Sequence, residues 1–298
     1  MLIDAHIHIW KREMLPDDAI RNYLEPVRKL KELYGDLFDF GLDDEIPFAD
    51  YDSFKEGLTE MMDCAKLDYA VVLATDFSLV NEGRMTNDEY MQWLYDQCQV
   101  DDRLLLFTGV DANHKDAIEK IERYYDRYEP VGMKVYPASG FYPNDPKYEQ
   151  YWSKIEELGL PVTVHAGMAL APLDEKYCHP NYLSAVAERH PDLKIIVAHL
   201  GGKFHDELIP LMQEHENVYT DCSALQGWMP DGKDTIRQRL DEVTSLFPDR
   251  VVFGSDFPLY ENHTTCSRFI EIIRSLDFGN DGVKDKLLGD NMARLLGL

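Results

Sequence analysis

Residues 193–202 read LKIIVAHLGG, a short apolar run that ends in a histidine and two glycines. Runs of this length and composition are typical of buried strands. A strand that is apolar on both faces belongs in a parallel sheet whose two faces are covered by helices. The sequence therefore predicts an α/β protein and puts His199 at the carboxyl end of one of its strands.

Seven further runs of the same kind occur along the chain. From the second run onward, successive runs begin 24 to 35 residues apart, and a strand with its crossover helix needs about 30 residues. Eight such units close naturally into a (β/α)8 TIM barrel, which is the predicted fold; a doubly wound open sheet is the competing arrangement on periodicity alone. The predicted strands are residues 2–10, 69–76, 104–111, 131–137, 160–167, 193–202, 217–223 and 250–256.

Helical patterns fill the gaps between these runs. Capping boxes begin at Ser53 and Thr86, where side chains can satisfy the first backbone amides of a helix. Apolar residues recur at helical spacing in segments 115–126, 183–190, 234–246, 264–275 and 283–296. We therefore expect a single barrel domain over residues 1–298.

The gap between the first two runs, residues 11–68, is about twice as long as the others. It has helical character near 17–34 and 53–66. This insertion leaves the carboxyl-end rim, where the active sites of such barrels lie. We predict a helical insertion that serves as a lid or substrate wall, with a decoration or an oligomer contact as the alternatives.

Composition limits the possible partners. The formal net charge is −25, which argues against binding to nucleic acid or an anionic membrane, because both would repel the chain. No apolar stretch approaches the roughly 20 residues that span a bilayer, and no basic leader precedes MLIDAHIHIW. Five scattered cysteines without a CxxC pair fit a reducing compartment. We expect a cytoplasmic protein with a small-molecule substrate.

Five residues of metal-ligand type lie at strand ends. His6 and His8 are two apart on the first strand, so both imidazoles point to the same face. His165, His199 and Asp256 each follow an apolar run at the same end of its strand, and in a barrel those ends meet at one rim. Nitrogen and carboxylate ligands suit Zn, Mn, Fe or Ni. The sequence therefore predicts a metal centre at this rim.

The other histidines lie in helical or loop segments. We expect these residues to be surface or capping residues: His114, His179, His190, His205, His215 and His263.

The pattern DAHIH…GMKVYP…PVTVHAG…IVAHLGG…VVFGSDFP resembles the amidohydrolase superfamily. More narrowly, it is similar to the branch that includes the aminocarboxymuconate-semialdehyde decarboxylase-like enzymes. The similarity extends over residues 1–10 and 104–298. It is specific for the superfamily but not for one reaction.

The resemblance implies roles for the five residues. His6, His8, His165 and Asp256 match the ligands of one divalent ion, most simply zinc, with Mn, Fe or Ni as alternatives. His199 matches a histidine beside the water on the metal. Asp256 would accept and return a proton, and His199 would polarise the substrate oxygen. Asp256 and His199 are thus the predicted catalytic residues.

Lys134 leaves two alternatives open. In relatives with two metals the corresponding lysine is carboxylated and bridges the ions; in this branch it can instead bind a substrate carboxylate, which is the favoured interpretation. Tyr136 is predicted to donate a hydrogen bond to the substrate. Trp228 is predicted to form an apolar substrate wall, with a place in the core as the alternative. Arg237 and Arg239 could hold a carboxylate if their loop folds inward.

The leading functional hypothesis is a metal-dependent hydrolase that uses activated water on an ester, lactone or amide of a small, anionic substrate. The alternative is a metal-dependent carboxy-lyase, a non-oxidative decarboxylase, that acts on an unsaturated or aromatic acid. A barrel that binds metal without catalysis is the third. The resemblance also implies a homodimer.

Overall fold

The predicted strands form one parallel sheet that curves into a barrel. The computed structural model describes residues 1–22, 54–228, 233–261, 264–280 and 282–298. Each strand pairs with the next in the chain, so the TIM-barrel prediction is confirmed; a doubly wound sheet would reverse its order at a switch point. The strands are β1 (Ile3–Ile7), β2 (Tyr69–Leu73), β3 (Leu104–Gly109), β4 (Gly132–Val135), β5 (Val162–Val164), β6 (Ile195–Val197), β7 (Val218–Asp221) and β8 (Val251–Val252).

The seam between the first and last strands is closed by residues that follow β8. Ile7 and Phe257 form a parallel bridge. The backbone N–H of Asp256 donates to the carbonyl oxygen of His6 at 2.8 Å. Because β8 itself is only two residues long, these contacts outside the regular strand complete the ring and bring Asp256 next to β1.

Helices lie between the strands, and the capping box at Thr86 is confirmed: its side chain and that of Glu89 each accept from the other's backbone N–H. Three helices, Glu149–Glu157, His205–Glu214 and the short Leu225–Trp228, were not among the predicted segments. Within the described part of the chain, no helix has the length and apolar character to cross a membrane. The helices are Phe54–Ala65, Asn87–Cys98, Ala117–Tyr128, Glu149–Glu157, Ser184–Arg189, His205–Glu214, Leu225–Trp228, Lys233–Leu246, Cys266–Ser275, Gly282–Asp285 and Asn291–Leu296.

The predicted insertion is described only at its two ends. Residues 17–22 are helical, and the helix Phe54–Ala65 packs against Cys266–Ser275, the helix that follows β8. The helix Phe54–Ala65 therefore belongs to the outer ring of helices around the barrel. Residues 23–53, which include the predicted capping box residue Ser53, lie outside the described residues, so the lid remains a prediction.

Gly109, the last residue of β3, packs so closely on the segment after β2 that a side chain cannot fit. A Cβ here would lie 2.0 Å from the carbonyl oxygen of Ala74. We expect Gly109→Ala to lower the free energy of unfolding by about 1–3 kcal/mol, because the strand ends must separate. Denaturant unfolding measures this, with Gly282→Ala as the control, since a Cβ there meets nothing closer than 3.5 Å. Equal stability of the Gly109→Ala variant and the wild type would contradict the packing described.

Candidate metal centre

His6 lies on β1 and His8 directly follows it, and both are buried. His6 Nδ1 lies 2.8 Å from Asp221 Oδ2, and His8 Nδ1 lies 2.9 Å from the carbonyl oxygen of Leu73. A carboxylate and a carbonyl oxygen only accept hydrogen bonds, so each Nδ1 carries the ring hydrogen. Each Nε2 therefore keeps a free lone pair, and Nε2 is the atom that a metal would bind.

These two nitrogens converge with one carboxylate oxygen. His6 Nε2 and His8 Nε2 are 3.1 Å apart, and Asp256 Oδ1 lies 3.6 Å from each. Atoms bound at about 2.1 Å to one tetrahedral ion lie roughly 3.4 Å apart, so the spacing fits a shared ion. Lone pairs this close repel one another unless a cation lies among them. Lys134 Nζ, 3.3 Å from His6 Nε2, is the nearest cation in the described structure; a divalent ion would satisfy all three atoms.

Burial keeps the imidazoles of the site uncharged, which is the form that binds metal. It lowers the pKa of His6, His8 and His199 far below the usual value and lowers the pKa of His165 to about 3. Burial also raises the pKa of the Asp256 carboxyl. A cation bound among these groups would oppose that rise and favour the ionised carboxylate.

His165 and His199 follow β5 and β6 and lie beside the converging atoms. His199 Nε2 is 3.2 Å from His165 Nδ1, and His199 Nδ1 is 2.7 Å from Ser223 Oγ. His165 Nε2 lies 3.1 Å from the carbonyl oxygen of Met168. The Met168 carbonyl only accepts, so His165 Nε2 carries the ring hydrogen, and Nδ1, which faces His199 Nε2, keeps its lone pair. The role of His165 as a metal ligand stays a prediction.

The two predicted catalytic residues have left-handed backbones, with φ of 61° at His199 and 57° at Asp256. Residues other than glycine rarely adopt this conformation, which costs on the order of 1–3 kcal/mol. The surroundings hold both in place: the His199 N–H donates to Asp221 Oδ1 at 2.9 Å, and the Asp256 N–H donates to the His6 carbonyl. Both predicted catalytic residues therefore have strained backbones that hydrogen bonds to neighbouring segments stabilise.

Asp4 ties β1 to the segment after β8. It is fully buried, and its Oδ1 accepts from the His6 N–H at 3.1 Å and the Ser255 N–H at 3.0 Å. A Cβ on Gly254 would lie 2.7 Å from His6 Cβ, so only glycine lets the chain pass His6 so closely. Asp4 therefore supports the backbone on which the two predicted ligands, His6 and Asp256, are carried.

Asp221, the last residue of β7, was not among the predicted site residues. Besides His6 Nδ1, its carboxylate accepts from the N–H of His199 and, at 3.0 Å, from the N–H of Ser223. The Ser223 hydroxyl also donates to it. The sequence did contain the signal, because Asp221 follows the run NVYT just as Asp256 follows RVVFGS.

Two of the three predicted substrate-binding residues lie near the centre. Tyr136 lies against the site, with its ring stacked on His165 at a centroid distance of 4.3 Å. Lys134 is buried beside His6. Trp228 lies outside the described side chains. All three substrate roles therefore stay predictions.

The two arginines considered for carboxylate binding have other partners. Arg237 Nε lies 3.1 Å from Asp241 Oδ2, and the Arg237 side chain is 53% exposed. Arg239 donates to the carbonyl oxygen of Gly202 at 3.5 Å. Arg237 thus faces solvent on the helix Lys233–Leu246, and the inward-folding alternative does not describe it.

Two of the other histidines are buried instead of lying on the surface. His190 and His205 are 2% and 4% exposed and form hydrogen bonds with Glu156 and with the Leu200 carbonyl. The prediction of a surface position is therefore wrong for both, because buried imidazoles are stable where they have hydrogen-bond partners. Both nevertheless lie at helix ends: His190 is the C-cap of Ser184–Arg189, and His205 begins the helix His205–Glu214. His263 lies outside the described residues.

A cavity of about 210 Å³ leads to the converging atoms. His8, His165, His199 and Asp256 line its polar part. Apolar and aromatic side chains form most of the remaining wall, among them Trp10, Leu15, Ile20, Phe77, Tyr136 and Leu173.

Comparison with known proteins adds a family relationship. The sequence model of the family described as amidohydrolase matches residues 3–298. The match includes β1 through β8 and every residue of the centre described above. No curated protein sequence matches the chain.

Three solved structures share the fold along the whole chain. Each covers 100% of this chain and 99% of its own. They are 5-carboxyvanillate decarboxylase from Sphingomonas paucimobilis (17% identity, TM-score 0.68), an amidohydrolase from Burkholderia multivorans with bound Zn (15%, 0.67), and a probable 2-pyrone-4,6-dicarboxylic acid hydrolase from Acinetobacter baumannii with citric acid bound (15%, 0.66). At these identities the likeness establishes the fold alone.

Proposed function

We propose that this chain, which belongs to the amidohydrolase family, is a metal-dependent hydrolase that cleaves an ester, lactone or amide bond in a small molecule. The observation that carries the proposal is the convergence of His6 Nε2, His8 Nε2 and Asp256 Oδ1 on one point. Because His8 and Asp256 also line the cavity, that point is open to a small molecule.

His6, His8 and Asp256 would hold one divalent ion, with His165 as the proposed fourth protein ligand. Imidazole nitrogens with one carboxylate favour zinc, and Mn, Fe and Ni remain alternatives. When bound, such an ion lowers the pKa of a coordinated water from about 15.7 towards 7 and so supplies a nucleophile at neutral pH. A second ion with a carboxylated Lys134 is the less favoured arrangement, because Lys134 Nζ already contacts His6.

Two side chains move protons in this proposal. Asp256 accepts a proton at a carboxylate oxygen and returns it to a leaving group. Ser223 donates its hydroxyl hydrogen to Asp221, so its Oγ accepts from His199 Nδ1. His199 Nε2 is then the ring atom at which His199 takes up or releases a proton.

A carboxy-lyase is the second candidate, and Lys134 is the observation that favours it. Decarboxylation needs a cationic group to hold the carboxylate that leaves or the one that stays. Lys134 is a buried cation beside the centre, although burial lowers its pKa. Hydrolysis remains the preferred proposal because it requires only the three converging metal-binding atoms and the side chains of Asp256 and His199.

A substrate panel combined with metal analysis tests the proposal. Purified protein is assayed with lactones, aryl and alkyl esters and unsaturated carboxylic acids, with and without a chelator. We expect about one metal ion per chain and chelator-sensitive hydrolysis of at least one lactone or ester without release of carbon dioxide. Carbon dioxide release from an acid would instead identify the lyase.

His199→Ala separates catalysis from metal binding in the same assay. We expect this variant to keep its metal and to lose activity by about 100- to 10,000-fold, as the loss of a proton-transfer group does. Loss of the metal from His199→Ala would make His199 a ligand and would contradict the role given to it here.

The single domain over residues 1–298, the cytoplasmic location and the homodimer remain predictions. Light scattering of the purified protein measures the last of these directly.

A further inference from the structure

Two chain segments outside the strands form a large part of the cavity wall. One is residues 15–20, which follow β1, and the other is residues 168–173, which follow β5. The side chains that these segments contribute to the wall are all apolar: Leu15, Pro16, Ala19, Ile20, Met168, Ala169, Leu170 and Leu173. We call this set the apolar wall.

The apolar wall can be reached by a molecule in the cavity. Met168 is 49% exposed. Four more of its side chains are half-buried: Ala19, Ile20, Ala169 and Leu170. The same cavity extends to His8 and Asp256, so a molecule with one end at the converging atoms can place its other end against the wall. Apolar surface of this kind gains when an apolar group covers it, because both surfaces leave water.

Hydrogen bonds hold the two segments in place and join them to each other. Arg84 donates to the carbonyl oxygen of Leu15 and, at 2.7 Å, to Asp17 Oδ1. Asn22 Nδ2 donates to the carbonyl oxygen of Ala171 at 2.8 Å, which ties the end of the first segment to the second. Because the apolar wall is formed before a ligand arrives, little of the binding free energy is spent on ordering it.

We infer that the substrate carries an apolar group, alkyl or aryl, next to its reacting group, and that Ile20 and Leu170 are specificity-determining residues that bind it. This inference rests on the proposed function, because it takes the reacting group to lie at the converging atoms. Each methylene group that is fully buried against such a wall raises affinity about fourfold. The apolar wall therefore selects among esters or lactones by the length of the group beside the bond that is cleaved.

Binding of straight-chain carboxylates tests the inference without relying on turnover. Acetate, butanoate, hexanoate and octanoate share one carboxylate, which can bind at the metal centre, and differ only in the length of the alkyl chain. Their dissociation constants are measured by NMR or calorimetric titration of the purified protein with its metal. We expect affinity to rise about 2- to 4-fold per methylene group, so that octanoate binds roughly 20- to 200-fold more tightly than butanoate.

Four variants assign this gain to the apolar wall. Ile20→Asn and Leu170→Asn each put a polar amide in place of an apolar side chain, and each should weaken octanoate binding by about 5- to 20-fold while acetate binding stays within about twofold. Leu170→Met keeps an apolar side chain of similar size and should preserve octanoate binding. Leu246→Asn is the matched control, because Leu246 is 50% exposed on the helix Lys233–Leu246 and is not among the described residues that line the cavity; it should bind all four carboxylates as the wild type does.

The outcomes separate this inference from the proposed function. Octanoate that binds no more tightly than butanoate, or a gain with chain length that survives both asparagine substitutions in the wall, overturns the inference even if the protein hydrolyses esters. Conversely, a gain that Ile20→Asn and Leu170→Asn reduce, in a protein without metal-dependent turnover of esters, lactones or amides, supports the apolar wall as a binding surface and contradicts the proposed reaction.

Discussion

Replacement of His6 by Asn will give a folded barrel that has lost both its metal and its activity. His6 Nε2 is one of the three converging atoms, and an asparagine side chain is too short to bring a donor to the same point. Asparagine can still donate to Asp221, so the buried carboxylate keeps a partner and the fold should survive. Without the metal, the transition state would lose several kcal/mol of charge stabilisation, which corresponds to roughly a thousandfold fall in rate.

Metal content by elemental analysis, circular dichroism and the ester or lactone assay measure the three parts of this prediction. His215→Asn is the matched control, because His215 lies just before β7, at the opposite end of the barrel, and bonds to Ser184. It should keep metal and activity. A His6→Asn protein with a full complement of metal would show that His6 is not a ligand.

Replacement of Asp221 by Asn will weaken metal binding although Asp221 is not one of the converging donors. The carboxylate fixes His6 with its hydrogen on Nδ1, so that Nε2 is available. An amide can present its NH₂ group to His6 instead, which would favour the opposite tautomer, with the hydrogen on the nitrogen that should bind metal. Loss of such an orienting partner typically costs 10- to 100-fold in metal affinity.

Competition with a chelator of known affinity measures this loss, and excess metal should partly restore activity to Asp221→Asn. That rescue distinguishes a positioning residue from a group that reacts. Asp111→Asn is the control, a buried carboxylate near the end of β3 whose change should leave metal affinity within about twofold of the wild type. An unchanged metal affinity in Asp221→Asn would show that Asp221 does not control the tautomer of His6.

The sequence was sufficient to predict the ring of strands and the place where polar side chains meet. Strand runs such as IIVA in LKIIVAHLGG are apolar at every position, which identifies buried parallel strands. Because the carboxyl ends of parallel strands share one rim, the sequence predicts that His199 and Asp256 lie close together. The helix His205–Glu214 was not predicted; it has Pro210 in its interior, which obscures the helical pattern.

The orientation of each side chain could not be predicted in this way. Whether His165 points at the converging atoms or at the Met168 carbonyl depends on the path of the loop after β5, and sequence spacing does not specify that path. The burial of His190 depends on Glu156, which is 34 residues away in the chain. Contacts of this kind are set by packing, so a rule based on residue type and spacing misses them.

The seam between β1 and the residues after β8 has a consequence for how the protein is made. His6 and His8 come from the first strand and the residue that follows it, and Asp256 comes from the segment after the last strand. A chain that has folded only its first seven strands has the histidine pair but not the carboxylate. The binding point thus comes into being with the final closure of the ring, and an ion held there would link the most distant parts of the barrel sequence. We therefore expect tight metal binding only after the barrel has closed.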